Sequence, residues 1–186
     1  MISTHFESGA LASVAYEPAD TGWTLVFTRD LPHSPEKVWA ALTQRDQLGQ
    51  WAPFVPNRDL DVQGDATFTM EDGSDSEEQS ADVLRAEAPS LLEYKWEGDL
   101  LLWELEPTSA GTRLTLRHTH QDRDWLPKLA AGWHLCLVVA DRLLEGRPIP
   151  RIVGEDAKNH GWDDLSNAYA ETLDIVSTDD SDPSRT

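Results

Sequence analysis

Residues 129–146 read LAAGWHLCLVVADRLLEG, and the spacing of their apolar side chains decides the fold. Leu129, Trp133, Cys136 or Leu137, Ala140 and Leu144 recur at intervals of three and four, the period of an amphipathic helix of about four to five turns. Gly146 follows as a natural stop, and Pro148 and Pro150 make 147–151 an extended connector. In this reading His134, beside Trp133, points away from the core face. A second, shorter helix is predicted over 162–173, where Leu165, Tyr169 and Leu173 stand four apart. Residues 174–186 are polar and acidic and are expected to be a disordered tail.

Upstream of the long helix the period falls to two. In WTLVFTRD, starting at Trp23, Trp23, Leu25 and Phe27 share one side, which marks a half-buried strand. Residues 1–22 before it read as an N-terminal arm or an added edge strand. A helix is predicted to start at Ser34-Pro35, where Ser34 caps and Pro35 suits the first turn, with Val38, Leu42 and Leu48 pointing inward. This helix or helix pair ends near Trp51, ahead of Pro53 and Pro56. From Leu60 to His120 short alternating runs broken by turn residues describe an antiparallel meander of five or six strands. They are 60–62, 66–70, 81–86, 91–96, 100–106 and 112–121, with the acid-rich 71–78 read as a solvated loop. The order is that of an α+β domain over 23–173, in which a curved antiparallel sheet wraps the long C-terminal helix. A sheet bent around one helix leaves a hollow near the helix ends, where small apolar ligands usually bind.

Composition narrows the functions. The chain has 186 residues, enough for one main core. Its formal charge of −19 repels phosphate backbones and anionic lipid surfaces, which argues against nucleic acid and membranes as partners. Eight Trp and 39% hydrophobic residues are too much apolar surface for a disordered acidic chain. Cys136 is the single cysteine, so no intrachain disulfide can form, and the first fifteen residues lack a signal-peptide pattern; both favour a cytoplasmic location.

Three stretches, FTRDLPHSPEKVWAALTQRDQLGQW, GTRLTLRHTH and LAAGWHLCLVVADRLLEGRP, resemble the family of activator of heat-shock protein 90 ATPase homologues. That family is a branch of the START-like or SRPBCC superfamily with a helix-grip fold. The likeness runs from about Trp23 to Leu173, and its most specific parts are Pro35 to Trp39 with Trp51, and the Gly132-Trp133 pair. None of these is a catalytic motif, so the resemblance carries the fold further than any activity. It implies a hydrophobic cavity between sheet and helix, of the kind this superfamily uses for lipids, polyketides and hormones.

The candidate ligand-binding residues follow from that picture. Trp51, Phe54, Phe68, Met70, Tyr94, Trp96, Trp103, Trp133 and Leu137 are the aromatic and apolar groups expected to line the hollow or fill the core. Arg85 shares parity with Ala81 and Val83 and is a candidate cation inside the cavity. His118 and His120 form an H-x-H that presents two imidazoles on one side of a strand, roughly 7 Å apart. A third metal ligand is hard to find, so they read first as polar groups at the wetter end of the pocket and next as candidate acid or base catalysts. No metal and no cofactor is expected. The leading function is capture of a small hydrophobic or amphipathic molecule. One alternative is a cyclase, dehydratase or hydrolase on the same scaffold using His118 or His120. Another is a co-regulator of a chaperone ATPase, although the eukaryotic activators add a separate preceding domain, which 22 residues cannot supply. Strand edges in such folds can pair across a two-fold axis, making a homodimer a candidate assembly.

Overall fold

The computed structural model describes residues 8–72 and 75–175. Eight strands, β1 (Ser13–Pro18), β2 (Trp23–Leu31), β3 (Val55–Pro56), β4 (Gly64–Asp72), β5 (Asp75–Glu87), β6 (Leu91–Trp96), β7 (Asp99–Pro107) and β8 (Thr112–His120), form one sheet. Its order is β1-β2-β8-β7-β6-β5-β4-β3, and every neighbouring pair is antiparallel. Helices α1 (Pro35–Thr43) and α2 (Arg45–Trp51) carry the chain from β2, near one edge, to β3 at the other. After β8 come α3 (Leu126–Leu144), a 3-10 segment (Gly154–His160) and α4 (Trp162–Leu173). This is an α+β helix-grip fold, with the antiparallel sheet curved around the long C-terminal helix α3.

The predicted local signals act at α1. Ser34 Oγ accepts from the Lys37 backbone N–H at 3.3 Å, Pro35 opens the helix, and Val38, Leu42 and Leu48 are buried. The edge-strand alternative for the N-terminal region is realised as β1, which pairs with β2 from Ser13↔Thr28 to Pro18↔Trp23.

Three local expectations are corrected. Residues 60–62 are not a strand. The Arg58 guanidinium donates to the carbonyls of Asp59, Val62, Gly64 and Asp65, curling the segment into a loop, while Leu60 is buried and its N–H donates to Thr43 O at 2.7 Å. Of residues 71–78, those at 71–72 and 75–78 are strand and not loop: the β4–β5 backbone ladder continues through Glu71↔Ser76 to Asp72↔Asp75, because ladder pairing does not need an apolar face, while 73–74 lie outside the described residues. Asp174 and Ile175, expected as the start of a disordered tail, are ordered: Asp174 caps α4 and Ile175 is buried against the core; residues 176–186 lie outside the described residues.

His134 is the fourth correction. It is fully buried, because α3 is apolar on nearly all sides: the sheet covers one face and α4 with the N-terminal strand region covers the other. The carbonyl of Ser8 can only accept, so His134 Nε2–H donates to it at 2.6 Å. Nδ1 therefore accepts from the Tyr169 hydroxyl at 2.7 Å, and that hydroxyl accepts from Ala12 N–H at 2.9 Å. A directional chain of hydrogen bonds thus ties the region before β1 to both C-terminal helices.

The β7–β8 turn leaves no room for a side chain at Gly111. Its φ is +154°, and a Cβ there would collide with Leu31 O and lie 2.7 Å from His33 N. Gly98, in the β6–β7 turn, has nothing within 4 Å of its Cβ position. Gly111→Ala should therefore destabilise the protein by about 3 kcal/mol, whereas Gly98→Ala should stay within about 0.5 kcal/mol of the parent. Urea unfolding followed by tryptophan fluorescence measures both, and equal effects would refute the argument.

Candidate functional site

A cavity of about 330 Å³ lies against the N-terminal half of α3. Leu129, Gly132, Trp133 and Cys136 recur at helical spacing along its wall, so one stripe of α3 forms the floor. The connector after α3 returns across that stripe and contributes Ile152, Val153 and Ala157, and Trp162 at the start of α4 joins them. Among the described residues the sheet reaches the cavity only at Trp96, the last residue of β6, and at His118 of β8. The walls are mostly apolar. Cys136 is buried there, and burial pushes its thiol up to about 12, which makes it a poor nucleophile at neutral pH.

Gly132 has a particular place in this wall. It sits in the interior of a 19-residue helix, and a Cβ built on it would meet nothing within 4 Å. The helix surface at that point opens onto space instead of packing.

His118 is one of the polar residues of the wall, with Lys128 and Lys158, and its contacts are determined from both ends. The Trp133 indole N–H can only donate, and it donates to His118 Nδ1 at 3.0 Å. The imidazole proton therefore sits on Nε2 and is donated to Asp99 Oδ2 at 2.7 Å. Asp99, at the start of β7, also accepts from His120 Nδ1 at 2.9 Å. Burial holds the His118 imidazole below its ordinary range and outweighs the opposing pull of Asp99. For Asp99 itself burial acts upward, but the hydrogen bonds and charges of the two histidines more than offset it, and the carboxyl titrates below its usual value. Both ring nitrogens of His118 are engaged, so neither is free to exchange a proton with a molecule in the cavity.

The candidate residues separate into four groups. Trp96, His118 and Trp133 line the cavity. Trp51, Phe54, Phe68, Tyr94 and Trp103 instead close up the space between sheet and helices: Phe54 and Phe68 stack at 3.9 Å, and Trp103 meets Trp51 and Trp133 edge-on at 6.3 and 5.2 Å. Leu137 is buried in the same core, and Met70 packs on it half-buried. His120 stands beside Asp99, its ring 6.5 Å from that of His118. The two imidazoles converge on one carboxylate, and among the described residues no group of three or more His, Cys, Asp or Glu is disposed to hold a metal ion.

Arg85 is the one candidate whose direction is reversed. A β-bulge between Val83 and Arg85 takes Leu84 out of register with β6, so the parity that joined Arg85 to Ala81 and Val83 breaks there. Its guanidinium points outward, half exposed, and pairs with Glu93 at 3.1 Å. Conversely, the alternation and helical patterns did not mark Lys128, Gly132 or the connector residues Ile152, Val153, Gly154, Ala157 and Lys158 as cavity wall. The readable signal was Gly132, a glycine inside an otherwise strong helix.

Two buried neutral histidines make stability pH-dependent. The folded-state values of His118 and His134 both lie below the ordinary 6.5, held there mainly by burial. The unfolded chain then takes up protons first as pH falls, so the stabilisation is complete above 6.5 and is lost as pH drops through the folded-state values. Each histidine contributes a slope of up to about 1.4 kcal/mol per pH unit in that window. Urea titrations between pH 7.5 and 5 should show this decline, and His134→Gln should reduce its slope. A flat profile would contradict the assignment.

Residues 32–145 match the family Activator of Hsp90 ATPase homolog 1-like protein. Among solved structures, the crystal structure of CalU16 from Micromonospora echinospora aligns with a TM-score of 0.65 at 22% identity, covering 86% of this chain and 95% of that one. The solution structure of the same protein aligns at 0.66 and 19% identity over 93% and 96%. The solution structure of the AHSA1-like protein from Aeromonas hydrophila aligns at 0.57 and 20% identity over 66% and 92%. At these identities the likenesses show the fold alone. No curated protein matches the chain significantly. The matched span runs from the end of β2 to the C-cap of α3 and so takes in both helices of the first pair, most of the sheet and the floor of the cavity; this chain belongs to the Activator of Hsp90 ATPase homolog 1-like family.

Proposed function

We propose that this protein binds a small hydrophobic or amphipathic molecule in the cavity beside α3, working in a reducing cytoplasm where its lone cysteine stays a thiol. The observation that carries this reading is Gly132. A glycine inside a helix costs roughly 1 kcal/mol relative to alanine, and here the cost is met at the place where its missing side chain leaves apolar space. A cavity of about 330 Å³ with mostly apolar walls falls in the size range of small-ligand sites, from about 300 Å³ upward. The family fold supports a ligand-binding scaffold in general terms, and the cavity narrows that to an apolar ligand body. The cyclase, dehydratase or hydrolase alternative has less support, because His118 spends both nitrogens on Trp133 and Asp99. Regulation of a chaperone ATPase rests on the family description alone.

Calorimetric titration with 1-decanol tests the reading. The parent protein should take up one molecule saturably. Gly132→Leu should raise the dissociation constant at least tenfold by filling the hollow. Gly132→Ala, which adds one methyl group and removes a flexible residue, should stabilise the fold by about 0.5 to 1 kcal/mol. Absence of saturable uptake by the parent, or undiminished binding by Gly132→Leu, would overturn the proposal.

A further inference from the structure

We infer that the occupant is an anionic amphiphile, an apolar body ending in a carboxylate or similar oxyanion that is met by Lys128 and Lys158; the inference rests on the cavity being a ligand site. The chain has only four lysines, and two of them, Lys128 and Lys158, belong to the wall of this one cavity. They reach it from different segments, Lys128 from the first turn of α3 and Lys158 from the 3-10 segment that returns over it. No carboxylate stands among the described wall side chains. In a protein of net charge −19 this arrangement runs against composition, since the surrounding field repels anions and only a local cluster of cations would admit one.

Among the described residues neither lysine has a carboxylate partner. The Lys128 ammonium lies 4.5 Å from the centroid of the Trp125 ring, a contact that orients the side chain without cancelling its charge. Among the described residues no ion pair is recorded for Lys158. The nearby Asp156 is engaged by Asn159 and His160. Lys158 is exposed and Lys128 half-buried, so both wall lysines are open to solvent while most of the other wall residues are apolar. Beside such a wall the local dielectric is lower than in open water, and an oxyanion is held more strongly. His118, the other polar wall group, has no free nitrogen for a headgroup. At roughly 30 Å³ per water-sized atom group, the 330 Å³ cavity holds about eleven of them, close to the body of a ten-carbon chain.

Calorimetric titrations with decanoate, 1-decanol and decyltrimethylammonium, all below their micelle concentrations at pH 7.5 and low salt, vary the head on one body. Decanoate should bind about tenfold more tightly than 1-decanol, and decyltrimethylammonium more weakly than either. The double variant Lys128→Gln with Lys158→Gln should bring decanoate down to the affinity of 1-decanol while leaving 1-decanol within twofold of its parent value. In the parent protein, raising the salt to about 0.5 M should shrink the preference in the same way. Equal binding of decanoate and 1-decanol by the parent, or an unchanged preference in the double variant, overturns the headgroup assignment and leaves the cavity reading standing. Failure of both decanoate and 1-decanol to bind overturns the cavity reading and this inference together.

Discussion

Everything in this molecule depends on burying α3 on two opposite sides at once. From Ala130 to Ala140 all but Gly132 are buried, an extent that no single layer could provide. The sheet covers one side, with Trp103 of β7 set edge-on to Trp133 and the indole of Trp133 anchored on His118 of β8. Helix α4 covers the other through Tyr169, whose hydroxyl joins His134 to the chain entering β1. Each side is thus an apolar contact fixed in orientation by one buried hydrogen-bonded chain. The apolar contact supplies most of the stabilisation. The hydrogen bonds, which would be costly to leave unmade in that interior, select one rotation of the helix.

The parts of this arrangement written locally were legible in the sequence. The caps at Ser34 and Pro35, the alternation in β2, β6, β7 and β8, and the four-residue spacing in α4 each depend on neighbours a few residues away. What was illegible depends on distant partners. Nothing near His134 announces that Ser8 and Tyr169 will receive it, and from one stripe of apolar residues the helix looked amphipathic when it is enclosed. Arg85 was misdirected by one extra residue, Leu84, because period-two reasoning assumes an uninterrupted ladder and a bulge inverts every side chain beyond it. The loop over 57–63 was lost for a similar reason: four carbonyls gathered by the Arg58 guanidinium outweigh a weak strand pattern.

The candidate site was legible to a smaller degree, and the reason lies in how aromatic residues divide their work. Alternation shows that Phe68, Tyr94 and Trp103 face inward, but inward-facing groups can either surround a space or fill it. Here they fill it. Phe54 and Phe68 lie parallel, Tyr94 stands against their edges, and Trp103 donates to the Tyr94 hydroxyl at 3.1 Å. The centre of the sheet is consequently closed, and the remaining space is displaced toward the end of β6 and the Gly132 flank of α3, where only Trp96, His118 and Trp133 of the expected group arrive.

That displacement explains why the cavity needs a third wall from a segment without regular apolar periodicity. A hollow on the flank of a helix is open on its outer side unless the chain returns over it. Gly146, with φ near +79°, ends α3, and two prolines carry the connector back in an extended path that seats Ile152 as a buried anchor. The 3-10 segment then brings Ala157 and Lys158 over the stripe that holds Gly132. Of the walls, the sheet side is fixed by the Trp103–Trp133 ring contact and the Trp133–His118 hydrogen bond, whereas the returning segment is anchored chiefly by Ile152. Local opening in proteins concentrates where buried apolar contacts are fewest. The connector, of whose described wall residues only Ile152 is buried, is therefore the wall where such opening is expected first, while the aromatic layer and the Trp133–His118–Asp99 chain hold the opposite wall in place.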